Sequence, residues 1–198
     1  MSENPLPVPA ARTTTLWIAV GGTVFLLAAS IAAGWVGSMN DPSIGESLMA
    51  LFQNEIAGQI SIDHPVDLCV KLFANNFEAC ILLFLGGASI GLLTLAILGI
   101  NGIVIGAVTQ IVSQTHSALY LAAALVPHGI FEIPAFIISA SLGFVLAQAL
   151  IAEWYGAGDA ATEAQKLGKL FLCVVLPLIA VAAVVEAFIT PAVLQMVA

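Results

Sequence analysis

The sequence predicts an all-α protein, a polytopic transmembrane helix bundle of about five spans with short amphipathic helices in its first loop. Three observations carry that prediction. From Ala79 to Ala152 the only formally charged side chain is Glu132. Across the 198 residues, 61% are hydrophobic and 8% charged, against about 45–50% and 25% in globular domains. Finally, several apolar runs reach the roughly 20 residues that a helix needs to cross the hydrocarbon of a bilayer.

Residues 1–15 read as a disordered polar lead, with Pro5, Pro7 and Pro9, and 16–198 as one membrane domain. The first span is expected at 16–36, with Trp17 and Trp35 as interfacial anchors. Its length exceeds the 7–15-residue core of a signal peptide, so a retained span is expected. The segment 38–78 is polar and extramembrane in this reading, but patterned. Ile44, Leu48, Leu51, Phe52 and Ile56 share one helical face. After Asp63-His64-Pro65, a second stripe of Val66, Cys69, Val70, Phe73 and Phe77 lies opposite Asp67, Lys71, Asn75 and Glu78. Both patterns suit helices lying on the membrane surface.

Further spans are expected at 79–98, 103–126, 130–151 and 169–189. Gly87 and Gly91 give the second a GxxxG face, and Gly102 with Gly106 and Ser139 with Gly143 give two more. These are more close-packing faces than one bundle needs, which suggests a homodimer. Ser113-Gln114-Thr115-His116-Ser117 interrupts 103–126, leaving one polar-centred span or a broken, re-entrant segment open. Arg12, Lys166 and Lys169 against Lys71 place the N-terminus in the cytoplasm of a five-span chain.

The net charge of −8 with only four basic residues excludes nucleic-acid binding, which needs clustered Lys and Arg. The bilayer is the one partner that the composition demands. Cys69, Cys80 and Cys173 are odd in number and lack a CxxC, so neither a disulfide framework nor a zinc site is expected. No HExxH, GxSxG or Walker lysine occurs; the chain reads as a non-enzyme without cofactor, metal or catalytic residue.

Chemistry should centre on Pro127-His128-Gly129-Ile130-Phe131-Glu132. An acidic group at a helix centre costs roughly 2.5–3.5 kcal/mol to insert, so its retention marks a candidate site. His128 and Glu132, at i and i+4, share a helix face. With no Lys or Arg within the bilayer core, Glu132 must meet a histidine (His128 or His116), stay protonated, or bind a cation. Burial disfavours the charged form of both groups, so a neutral pair is the easiest state. Asn101, His116 and Glu186 are the other candidates. Two readings stay open: a polar clamp between helices, and a proton or cation pathway. Pro127 suits a helix start.

The string Leu125 to Glu132, preceded by Asn101-Gly102, resembles the stage II sporulation protein M family. The closing Val185-Glu186-Ala187-Phe188-Ile189-Thr190-Pro191 is similar to that family's last-span signature, and Asn75-Asn76 also fits its pattern. The resemblance covers about Asn75 to Pro191 and implies a multi-pass protein of the cell membrane. It also implies a scaffold or partner subunit of an envelope complex, which in spore formers recruits peptidoglycan-degrading enzymes. The buried carboxyls favour an alternative, a channel or transporter for protons, ions or a small solute.

Overall fold

The computed structural model describes residues 11–52 and 65–197. Eight α-helices are present among them: α1 (Ala11–Asn40), α2 (Pro42–Phe52), α3 (Pro65–Leu85), α4 (Leu92–Thr115), α5 (Ala118–Trp154), α6 (Ala160–Leu170), α7 (Leu176–Val184) and α8 (Thr190–Gln195). No strand occurs among the described residues. Five helical segments are long and apolar enough to span a membrane: Thr15–Asn40, Pro65–Ser89, Leu92–Thr115, Ala118–Trp154 and Ala160–Gln195. The protein is an all-α polytopic bundle. Residues 1–10 of the expected N-terminal lead, the first helical face beyond Leu48, and Asp63-His64 lie outside the residues whose side chains are described, while 11–15, expected to be disordered, open α1.

The span boundaries differ from the sequence reading, and one hairpin accounts for most of the difference. The run 79–98 is not one span: the chain reverses inside it. After α3 comes a 3₁₀ turn (Gly86–Ser89), then Ile90 and Gly91 at φ 58° and 80°. Ser89 Oγ donates to the Gly86 carbonyl (2.7 Å) and accepts from the Leu93 N–H (2.9 Å), so it closes one helix and opens the next. Gly91 thus belongs to a turn that needs its positive φ, and there it faces Phe144 of α5. The second span is therefore 65–89, and the residues expected to lie on the membrane surface at 66–78 form its first half.

The remaining boundaries shift in consequence. Ser113–Ser117 is neither mid-span nor re-entrant. Ser113–Thr115 are the last residues of α4 and His116-Ser117 the turn between the third and fourth spans, with the Ser117 hydroxyl accepting from the Tyr120 N–H (3.1 Å) to start α5. Pro127 then falls in the middle of α5, as does Pro134. The fifth span begins earlier than expected, at Ala160, where the Asp159 carboxylate accepts from the Thr162 N–H (2.9 Å) and hydroxyl (2.6 Å). That span crosses two π-turns, Phe171–Val175 and Val185–Ile189. Each precedes a proline, Pro177 or Pro191, whose missing N–H a widened turn accommodates.

The Thr162 hydroxyl and N–H hold the exposed Asp159 carboxyl below the usual carboxylate range. A depressed folded value means that the cap is fully in place above the unfolded value and is lost as pH falls through the folded one. Protection of the Thr162 amide, taken relative to its intrinsic exchange rate, is therefore expected to be full at neutral pH and to be lost as pH falls through the folded value. Asp159→Ala should remove that protection at every pH.

The α5 helix is central. Of its apolar window 56% is buried within the chain, against 17–28% for the other four spans. One core joins α3, α5 and the fifth span through Cys80, Phe84, Leu142, Leu146, Phe171 and Ile179, with the Phe84 and Phe171 rings stacked at 5.6 Å. A second joins α1, α3, α4 and α5 through Leu27, Leu83, Leu98 and Ala140. Buried polar pairs pin the helices, since lipid offers no other partner. Ser38 donates to Gln110 (3.0 Å), Ser141 to Thr23 (3.2 Å), and Thr94 to the Leu83 carbonyl (2.9 Å).

The small-residue faces are used inside one chain. A Cβ on Gly102 would meet Ser30, and one on Gly106 the Ile31 carbonyl, both on α1. One on Gly87 would strike the Gly143 carbonyl of α5. Ser139 is fully buried. The surplus that suggested a homodimer is thus taken up by α1–α4 and α3–α5 packing.

Candidate functional site

Two polar features remain inside the membrane-spanning part, one turned inward and one outward. The inward one lies where α5, α3 and the second π-turn meet. His128 and Glu132 stand one helical turn apart on α5, between Pro127 and Pro134. Neither proline can donate to the carbonyl four residues back, so the backbone around the pair is less self-satisfied than in an ordinary helix. Glu186 comes from the π-turn before Thr190-Pro191, where the Thr190 hydroxyl donates to the Val185 carbonyl (3.3 Å). A π-turn inserts a residue into the helical register and turns its side chains. Here it brings Glu186 to the α5 pair: one ligand atom from each of His128, Glu132 and Glu186 lies within 4.8 Å of the others.

Asn76, buried on α3, completes the cluster with its amide hydrogen-bonded to the Glu132 carboxyl. The His128 Nδ1 is buried without a hydrogen-bond partner. The Ser139 hydroxyl is likewise buried and unpartnered by hydrogen-bond geometry, facing the Cys80 thiol on α3. Sequence reasoning gave Cys80 no disulfide or zinc role and Asn76 only a place in a motif. The seven-residue step from Glu132 to Ser139, two turns of one face, was the signal that α5 carries a polar line toward Cys80.

The other expected members lie elsewhere. Asn101 donates to its own helix at the Ile97 carbonyl (2.9 Å) on α4. His116 is exposed in the α4–α5 turn, where its ring stacks on Tyr120 at 4.2 Å and its Nδ1 lies 2.8 Å from the Thr115 hydroxyl. Neither joins the cluster. Gly129 is buried, but an added Cβ would meet only the Ile133 side chain at 3.6 Å. Nothing in the structure requires glycine there.

The outward feature follows from the revised second span. Asp67, Asn75 and Glu78 are exposed along α3, with Lys71 half-buried between them. On a surface helix they would be a solvated face. Within a span Asn75 and Glu78 fall at hydrocarbon depth: Glu78 is 11 residues from Ser89, about 16 Å at 1.5 Å per residue, or half of a ~30 Å hydrocarbon core, whereas Asp67 falls at its edge. The Lys71 Nζ is buried with no partner.

Aromatic and basic residues mark the ends. Chain alternation puts exposed Trp17, Trp154 and Tyr155 at one end, together with Lys166 and Lys169. Such a girdle is that of a membrane interface.

The model of the family described as Stage II sporulation protein M matches residues 23–191, which take in both polar features. The chain is also similar to the uncharacterized protein MJ0793 of Methanocaldococcus jannaschii, at 33% identity over 125 residues, 61% of this chain and 70% of that one. No solved structure matches it.

Proposed function

The chain belongs to the stage II sporulation protein M family, and on that premise we propose that it is a membrane partner subunit of a cell-envelope complex. The observation that supports this reading is the outward stripe of α3. A carboxyl and an amide at mid-span are costly in lipid and inexpensive against another protein's polar side chains. In this reading the N-terminus, Lys166 and Lys169 face the cytoplasm, and the α2 segment lies outside.

Site-specific photo-crosslinking in native membranes tests it. A crosslinker at position 78 or 75 is expected to capture a distinct membrane protein, whereas one at Ile100, 62% exposed on α4, should capture lipid. Glu78→Leu should lower recovery of that partner roughly threefold to thirtyfold, the equivalent of about 0.6–2 kcal/mol for one interhelical polar contact. Lipid alone at position 78 would overturn the reading. Capture of a second copy would replace the envelope partner by a homodimer.

A second reading has its own support in the inward cluster: a channel or transporter for protons, ions or a small solute. Flux through the purified chain in liposomes, lost in Glu132→Gln, is the result that this reading requires.

A further inference from the structure

We infer that His128, Glu132 and Glu186 form a binding site for a divalent first-row transition-metal ion, of which zinc is the best fit. Three independent observations converge on it. The first is distance. Ligand atoms from three side chains lie within 4.8 Å of one another, and a zinc ion holding nitrogen and oxygen at about 2.0–2.2 Å draws such atoms together by small side-chain rotations.

The second is charge. The cluster holds two carboxyls and an imidazole, and no lysine or arginine pairs with them among the described residues; the ion pair there is Lys166–Glu163 at the membrane end. A neutral imidazole and two carboxylates carry a net charge of −2, which one divalent cation cancels. Without it the cluster must retain two protons or stay charged inside the bilayer, which is costly.

The third is the state of the surrounding groups. The His128 Nδ1 is buried and unpartnered, so no protein group competes for that nitrogen. Glu132, by contrast, is oriented by the Asn76 amide, as carboxylate ligands of metals are in turn hydrogen-bonded. A helix–helix clamp would also use the Asn76 contact, but it would not leave the imidazole nitrogen buried and unpartnered.

The donor set chooses among ions. One imidazole with two carboxylates suits the borderline ions Zn²⁺ and Fe²⁺ and, through its carboxylates, the harder Mn²⁺; it lacks the thiolates and thioethers that select Cu⁺, and the oxygen-only cage of Ca²⁺. Three protein ligands leave a coordination position for water or a small solute. The ion would join α5 to the π-turn of the fifth span. The inference uses no feature of the outward α3 stripe, so failure of the partner reading leaves it standing, and the reverse.

The test uses the full chain purified into nanodiscs, stripped with a chelator, then dialysed against Zn²⁺ or Co²⁺. One zinc per chain is expected, with visible ligand-field absorption for the cobalt form. Glu132→Gln and Glu186→Gln should each weaken binding at least tenfold. Asn76→Ala, which removes only the orienting amide, should weaken it about 10- to 100-fold. His116→Ala and Asn101→Ala, outside the cluster, should leave it unchanged. Should a glutamine variant not fold, the unaltered chain decides: zinc must raise its thermal midpoint, and a chelator must reverse the rise. Absence of stoichiometric binding in the unaltered chain, or binding that survives Glu186→Gln but not His116→Ala, overturns the inference.

Discussion

Gly106→Leu is expected to separate the first span from the third and to abolish most of the monodisperse protein recovered in detergent. A Cβ on Gly106 would collide with the Ile31 carbonyl and approach the Trp35 N at 2.8 Å, and both are backbone atoms. Backbone cannot rotate aside as a side-chain tip can, so the two helices must move apart. Gly34 meets the Ile103 backbone from the other side of the same contact, leaving no slack to absorb the shift. Overpacking in cores typically costs about 1–3 kcal/mol; a leucine forced against two backbones belongs at or above the top of that range. Gly22→Leu is the matched control, because nothing lies within 4 Å of a Cβ there. It should elute and melt like the parent. Equal behaviour of the two variants would show that α1 and α4 do not pack this closely.

That contact illustrates how much of the fold is legible in the sequence. The number of spans follows from total apolar length, and Gly102 with Gly106 correctly marks a close approach. Hydropathy does not say where an apolar run reverses. In 79–98 the turn is built from Gly86-Gly87-Ala88-Ser89-Ile90-Gly91, none of them charged, and it is shaped by two positive φ values and one serine hydroxyl. A sliding average reads such a turn as span. The error then propagated, because moving one reversal moved each following boundary. It also changed the meaning of Asn75 and Glu78, from a solvated face to a stripe within the membrane.

The site was legible in the same partial way. The i, i+4 relation of His128 and Glu132 follows from helix geometry alone. Glu186 was visible as a carboxyl near the end of the last span, but its arrival at the α5 pair depends on antiparallel packing and on a π-turn before Pro191. Local sequence indicates only the proline. Asn101 and His116 failed for opposite reasons: one is satisfied by its own helix's carbonyl, the other sits in a turn that the sequence reading placed inside a span. Without Glu186 the sequence offers two ligands and no metal site; the tertiary contact supplies the third.

Glu132 separates these roles most sharply, because two opposing effects act on its carboxyl. It accepts from Asn76, which stabilises the bundle, and it stands beside Glu186, a like charge whenever both ionise. Glu132→Leu removes both effects and leaves the Asn76 amide orphaned in a place without water. An unsatisfied group of that kind costs about 1–3 kcal/mol, or roughly 2–4 °C of thermal midpoint per kcal/mol at this chain length. Glu132→Gln keeps an acceptor for Asn76 and removes the carboxyl–carboxyl proximity. With a chelator present it should therefore melt at or slightly above the parent, while Glu132→Leu melts below it. A clamp needs only that hydrogen bond, so the glutamine variant would then keep its partner and its function. A cation or proton pathway needs the ionisable oxygen, and the same well-folded variant would lose flux. If glutamine instead proves as damaging as leucine in the metal-free chain, the ionised carboxylate itself must hold α5 to its neighbours, and the neutral hydrogen-bonded cluster is wrong.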